Sequence, residues 1–145
     1  MAEKLKRSVK SLVEEANAEI VTLTVEEAIG LHGDPGVVLI DIRDPRELAR
    51  DGAVPGAFHA PRGMLEFWID PESPYFKPVF GEDKRFVFFC AGGFRSALTT
   101  KTLQDMGLAP VAHIAGGFGA WKAAGGPVEA YPKAADGSQN QDKKG

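Results

Sequence analysis

The chain has 145 residues, 43% of them hydrophobic and 26% charged, which suits one folded core and excludes a wholly disordered chain. No apolar run reaches the roughly eighteen residues a membrane-spanning helix needs, and the basic N-terminus (Lys4, Lys6, Arg7, Lys10) is not followed by the apolar stretch and cleavage site of a leader, so the expected compartment is cytoplasmic. A single cysteine excludes an internal disulfide and a multi-cysteine metal site, and the net charge of −3, with basic residues gathered at the N-terminus, leaves an acidic body without a footprint for nucleic acid.

Leu5, Val9, Leu12, Val13, Ala16 and Ile20 recur at three- and four-residue steps, which predicts one apolar stripe on an amphipathic helix. Residues 1–19 are read as a helical extension that packs on its own domain or meets a partner. Residues 20–23 predict a short strand. Thr24-Val25-Glu26-Glu27 reads as a capping box that opens a helix towards Leu31. Val37-Val38-Leu39-Ile40 is a continuous aliphatic run, suited to a strand buried on both faces of a parallel sheet. Asp44-Pro45-Arg46-Glu47 starts the next helix, with Asp as N-cap and Pro in the first turn, and Gly52 ends it. Pro55-Gly56 marks a turn that also holds His59, residues 64–69 suit a short helix, and residues 71–78 form a proline-punctuated loop. Phe86-Val87-Phe88-Phe89 is a second buried strand, leading straight into Cys90. Residues 95–106 have helical spacing, stopped by Gly107. Residues 111–114 predict a strand and 118–124 a last helix. Residues 133–145 carry no large apolar side chain and read as a disordered tail. The alternation of strand and helix over residues 20–132 means an α/β domain with a mainly parallel sheet.

The segment 86–96 carries the chemistry. A buried strand ends at Cys90, Ala91-Gly92-Gly93-Phe94-Arg95 follows, and a helix begins. Ligands of open α/β sheets gather beyond the carboxyl ends of strands. The two glycines permit a tight turn whose amides point inward as an anion-binding nest, and the helix start adds positive charge. Such surroundings favour thiolate over thiol, the reactive form. A lone cysteine on a strand is ordinarily a small packing residue. A packing cysteine, however, does not require the Gly-Gly turn, the closing arginine or the helix that follows. The reactive reading also requires that the sulfur not be sealed among hydrocarbon side chains. His32, His59 and His113 are scattered and read as structural, which speaks against a Cys–His protease, and no ligand spacing joins them to Cys90 as a metal site.

Four stretches in this order resemble the rhodanese family, the single-domain sulfurtransferases, over about residues 20–131. Val38-Leu39-Ile40-Asp41-Ile42-Arg43-Asp44 looks like the family's strand ending in Asp-x-Arg. Gly52-Ala53-Val54-Pro55-Gly56-Ala57 is similar to its Gly-His-Ile-Pro-Gly-Ala turn, with Ala53 in place of histidine. Cys90-Ala91-Gly92-Gly93-Phe94-Arg95-Ser96-Ala97 resembles the active-site loop. Gly116-Gly117-Phe118-Gly119-Ala120-Trp121, followed by Gly126-Pro127, looks like the closing motif.

The resemblance implies a three-layer rhodanese-like α/β domain, its central, mostly parallel five-stranded sheet flanked by helices. It implies a thiosulfate-type sulfurtransferase that carries sulfane sulfur as a persulfide on Cys90 and delivers it to cyanide, a thiol or a protein acceptor, without cofactor or metal. By position, the backbone of Ala91, Gly92, Gly93, Phe94 and Arg95 would cradle the sulfur, and Arg95 would hold the anionic donor. Asp41 and Arg43 would support the loop or line the pocket. Arg62 is a further candidate for the rim, with a solvated surface arginine as the alternative. Two other functions compete: a sulfur-relay or regulatory module without turnover, and a cysteine-dependent phosphatase. Phosphatases sharing this fold place five residues between cysteine and arginine, whereas only four lie between Cys90 and Arg95, a cradle for one sulfur atom rather than a phosphate.

Overall fold

The computed structural model describes residues 4–132, so the tail expected over 133–145 lies outside the described residues. The elements run α1 (Val9–Glu19), β1 (Val21–Leu23), α2 (Val25–Gly30), β2 (Val37–Asp41), α3 (Pro45–Asp51), β3 (Phe58–His59), α4 (Leu65–Ile69), β4 (Arg85–Phe89), α5 (Phe94–Asp105), β5 (Val111–Ile114) and α6 (Gly117–Ala123). Local chemistry sets several of these boundaries. The Thr24 hydroxyl accepts from the Glu27 amide at 3.1 Å, and the Glu27 carboxylate accepts from the Thr24 amide at 2.8 Å, which starts α2. Asp44 and Glu47 repeat the device at α3, with Pro45 in its first turn, and Gly52 ends that helix at φ +93°.

The strands form one sheet in the order β1-β5-β4-β2-β3, and every ladder is parallel. The continuous apolar strands follow from burial on both faces. On β4, Phe86 and Phe88 join Ile40, Leu65, Ile69 and Leu103 on one face, while Val87 and Phe89 join Leu39, Phe118 and Trp121 on the other. These two cores are the seams of a three-layer α/β domain. A third, smaller cluster of Val13, Ala16 and Ala97 seats α1 on α5. Among the described residues no helix is long and apolar enough to cross a membrane.

Two elements differ from the sequence pattern. The residues after Pro55-Gly56, read as a turn, include β3, whose Phe58 and His59 pair with Ile40 and Asp41. Two residues are too few for a period-2 signal. The short helix expected over 64–69 divides into a 3-10 turn, Arg62–Met64, and α4, Leu65–Ile69. Trp68 packs on the core, whereas Phe67 is exposed and stacks edge-on against Tyr75 at 6.3 Å.

Candidate active site

Strand order reverses around β2: the chain runs from β2 to the edge strand β3 and then returns to β4 on the other side. The carboxyl ends of β2 and β4 therefore lie side by side, the Ile42 amide donating to the Phe89 carbonyl at 3.0 Å. This is the crevice where open α/β sheets hold ligands. Arg43 leaves one strand there and Cys90 the other. The loop after Cys90 turns through Gly93 at φ +97°, a conformation that favours glycine, and runs directly into α5.

That turn aims donors at the sulfur. Cys90 Sγ accepts from the Gly93 amide at 3.2 Å and the Ser96 amide at 3.4 Å, and its thiol donates to Ser96 Oγ at 3.6 Å. Burial is the largest influence on the thiol and opposes ionisation. The Ser96 hydroxyl and the amides of Ser96, Gly93 and Gly92 together outweigh it, so the thiol lies below its ordinary value. Of the residues expected to cradle the sulfur, Gly93 makes a direct amide bond, and the second comes from Ser96, one residue beyond the expected span.

Cys90 is 1% exposed and touches the core around Ile40 and Phe88. The sulfur is thus deeper than a mouth-lining nucleophile, yet it faces amides and a hydroxyl rather than hydrocarbon alone. A surface depression of about 350 Å³ lies at the loop that follows, lined by Gly92, Gly93, Phe94, His113 and Gly116 among others.

Arg95 does not stand free. Its guanidinium makes a bidentate pair with Glu47 on α3 at 2.8 and 2.9 Å. That pairing is the main cause holding Arg95 above its ordinary value, with a smaller contribution from Cys90, and the same bonds lower Glu47. Arg62 pairs with Glu66 at 2.8 Å, the surface reading rather than a bond to the loop.

Asp41 and Arg43 form a buried pair. Arg43, 0% exposed, donates through Nε and Nη2 to both Asp41 oxygens, the shortest bond being 2.7 Å, and through Nη2 to the Gly52 carbonyl at 2.8 Å. Its guanidinium lies 4.0 Å from the centre of the Phe118 ring. The Phe118 amide in turn donates to the Cys90 carbonyl at 2.7 Å. Asp41 and Arg43 therefore bear on the loop from behind. Gly116-Gly117 completes this support. A Cβ on Gly117 would fall 2.3 Å from the Cys90 carbonyl oxygen, at a φ of +58°.

Sequence reasoning passed over two residues that the structure joins to the thiol. Ser96 stands in the loop motif without a role assigned from sequence, and the sequence pattern of His113 speaks only for a structural part. Ser96 Oγ lies 2.9 Å from His113 Nδ1, and His113 Nε2 lies 3.0 Å from Asn17 Oδ1 and 3.1 Å from Thr22 Oγ1. The alternation of β5 was the available signal, because it sets His113 opposite Ala112 and Ile114. Nε2 of His32 meets the Pro55 carbonyl and Nε2 of His59 the Arg43 carbonyl.

Comparison with known proteins agrees with this geometry. A Rhodopseudomonas palustris protein of unknown function, described as a possible tyrosine phosphatase, superposes with a TM-score of 0.87 at 63% identity, covering 89% of this chain and 99% of that one. The human thiosulfate:glutathione sulfurtransferase is 29% identical over 106 residues, 69% of this chain and 91% of the relative. A tRNA uridine(34) hydroxylase from Albidiferax ferrireducens is 34% identical over 91 residues, 61% of this chain but only 28% of that protein's length. The rhodanese-like domain pattern matches residues 24–124. With that match over most of its length and a strand-end cysteine set in a loop of inward amides, the chain belongs to the rhodanese-like domain family.

Proposed function

We propose that the chain is a thiosulfate-type sulfurtransferase working through a persulfide on Cys90. The observation that carries this reading is the sulfur itself, set at a helix start between two amide donors and a hydroxyl. The Cys90 thiolate attacks the outer sulfur of thiosulfate, the S–S bond breaks, and sulfite leaves with the bonding pair. The amides that hold the thiolate then face the persulfide. An acceptor nucleophile, cyanide or a thiol, takes the terminal sulfur, and the electron pair returns to Cys90 as thiolate. The expected partners are a small anionic sulfur donor and a thiol or protein acceptor, and the name of the human relative pairs thiosulfate with such a thiol. Of the candidate residues, Cys90 is the nucleophile. Gly93 and Ser96 hold its charge, helped by Gly92, with Ala91 and Phe94 shaping the same loop. Asp41 and Arg43 brace it, and Arg95 meets the donor once Glu47 yields it.

The phosphatase description attached to the 63%-identical structure is a different reading. One observation weighs against it: four residues rather than five separate Cys90 from Arg95, a smaller cradle than a phosphate needs. Intact mass after thiosulfate treatment tests the choice. A gain of about 32 Da, absent in Cys90→Ser, is the expected result, because that substitution removes the thiolate. Turnover of an aryl phosphate with no sulfur gain would overturn it.

A further inference from the structure

We infer that Ser96 and His113 form an internal proton store for Cys90, with Ser96 touching the reacting sulfur and His113 acting through it as a positioning residue. The inference rests on the reading of Cys90 as nucleophile. The buried thiol needs somewhere to put its proton. The chain of contacts runs Cys90 Sγ, Ser96 Oγ, His113 Nδ1, then His113 Nε2 to Asn17 Oδ1 on α1, with steps of 3.6, 2.9 and 3.0 Å. Ser96 and His113 are both buried, His113 2% exposed, while Asn17 and Thr22 lie at the surface.

The amide oxygen of Asn17 only accepts, so Nε2 carries a hydrogen. In a neutral ring Nδ1 then accepts from the Ser96 hydroxyl, whose oxygen accepts from the thiol. Shifting two protons along the chain gives the second state. The S–H proton moves to Ser96 Oγ, and the Ser96 proton moves to Nδ1. The products are a thiolate and an imidazolium, with Nδ1–H donating to Ser96, Ser96 O–H donating to the sulfur, and Nε2–H still donating to Asn17. Atoms and charge balance, no heavy atom moves, and every hydrogen bond is satisfied in both states. Burial holds the ring down to about 4. Beside a thiolate the ring gains a counter-charge, so the pair titrates as a unit.

The surrounding charges do not take this role. On α1 these are Lys10, Glu14, Glu15 and Glu19, and on α5 Arg95, Lys101 and Asp105. Arg95 is held by Glu47, Lys101 by Glu19 and Asp105, and Glu15 by Arg7. β1 has no charged residue, and Arg85 lies at the end of β4 away from Cys90. Among the described residues the imidazole hydrogen-bonds to Ser96, Asn17 and Thr22, and to none of these charged side chains.

The test is the pH profile of Cys90 alkylation by iodoacetamide on the full chain, with intact mass after thiosulfate on the same samples. The wild-type protein should keep reactivity well into acid solution, as a thiolate–imidazolium pair does. His113→Leu and Ser96→Ala should lose about tenfold of the rate near pH 6, a shift of about one pH unit, and regain it in alkali. The surface variants Asn17→Asp and Asn17→Leu should move the acid limb in opposite directions, Asp extending it and Leu shortening it. Those two carry the test should His113→Leu fail to fold. By NMR the His113 ring should titrate at about 4 in Cys90→Ser and higher in wild type. Wild-type acid profiles in His113→Leu, shifts of one sign for both Asn17 variants, or identical ring titrations in wild type and Cys90→Ser would each overturn the store. Alkylation needs no sulfur donor. The expected profiles without sulfur gain therefore defeat only the sulfurtransferase reading, and sulfur gain with unchanged profiles defeats only the store.

Discussion

Replacing Asp41 by Asn separates the charge of the buried pair from its shape. The side chain keeps its size and one acceptor oxygen, but Arg43, wholly buried, loses the carboxylate that receives its Nε and Nη2 donors. Among the described residues the other contacts of the guanidinium are the Gly52 carbonyl and the Phe118 ring, and Nη1 has no hydrogen-bond partner. Removing one member of a buried pair strands the other charge and costs about 3–5 kcal/mol, a large share of the roughly 5–15 kcal/mol that holds a domain folded. With a urea dependence of about 2 kcal/mol per molar, the unfolding midpoint should drop by about 2 M. Sulfur gain on Cys90 should fall with it below the transition, because Phe118 carries the strain to the Cys90 carbonyl. The double variant Asp41→Leu with Arg43→Met leaves no charge behind and should lose less stability than Asp41→Asn alone. Urea melts followed by circular dichroism decide the matter. An Asp41→Asn midpoint within about 0.5 M of wild type, the equivalent of about 1 kcal/mol, would refute the reasoning, as would a double variant weaker than the single one.

Other expectations concern the loop and its arginine. Gly117→Ala should cost about 1–3 kcal/mol for the left-handed backbone alone, and the clash with the Cys90 carbonyl should suppress persulfide formation in protein that still folds, as intact mass at a temperature below the melt would reveal. Glu47→Ala should release Arg95 for the anionic donor and lower the thiosulfate KM, while Arg95→Ala should raise it; steady-state kinetics of sulfite release would show both, and equal KM values in the three proteins would remove Arg95 from donor binding. The Glu47 carboxyl lies below its ordinary value because Arg95 binds it, so the contribution of the pair is present above the ordinary carboxylate range and is lost as pH falls through the lowered value. Its loss should cost about 1 kcal/mol or less in melts, since Arg95 is half-exposed. Thr24→Ala should cost about 1 kcal/mol through the cap of α2, with Cys90 reactivity unchanged.

Much of the fold was written in short-range patterns. Val37–Ile40 and Phe86–Phe89 are apolar throughout because the sheet covers them on both sides, and the boxes at Thr24 and Asp44 start helices from within four residues. The candidate site was legible for the same reason, since strand end, Gly-Gly turn and helix start are contiguous. What stayed hidden depends on which strands become neighbours. Glu47 meets Arg95 across 48 positions of sequence, and His113 reaches Ser96 only because β5 lies beside β4. The depth of Cys90 was equally hidden, because local sequence does not say how far α5 and the core close over a strand end. For the helical extension of residues 1–19 the apolar stripe left open whether it packs on its own domain or meets a partner; α1 lies against α5 through Val13, Ala16 and Ala97 and reaches the imidazole through Asn17.

The carbonyls of Cys90 and Ala91 are both consumed by amides of α6, those of Phe118 and Gly119. Main chain thus fastens main chain, and the polarity around the sulfur owes nothing to the side chains of Ala91, Gly92 or Phe94. Those positions can change, with Phe94 already 68% exposed, while the donors beneath them stay in place. What the site admits can thus be retuned at the rim alone.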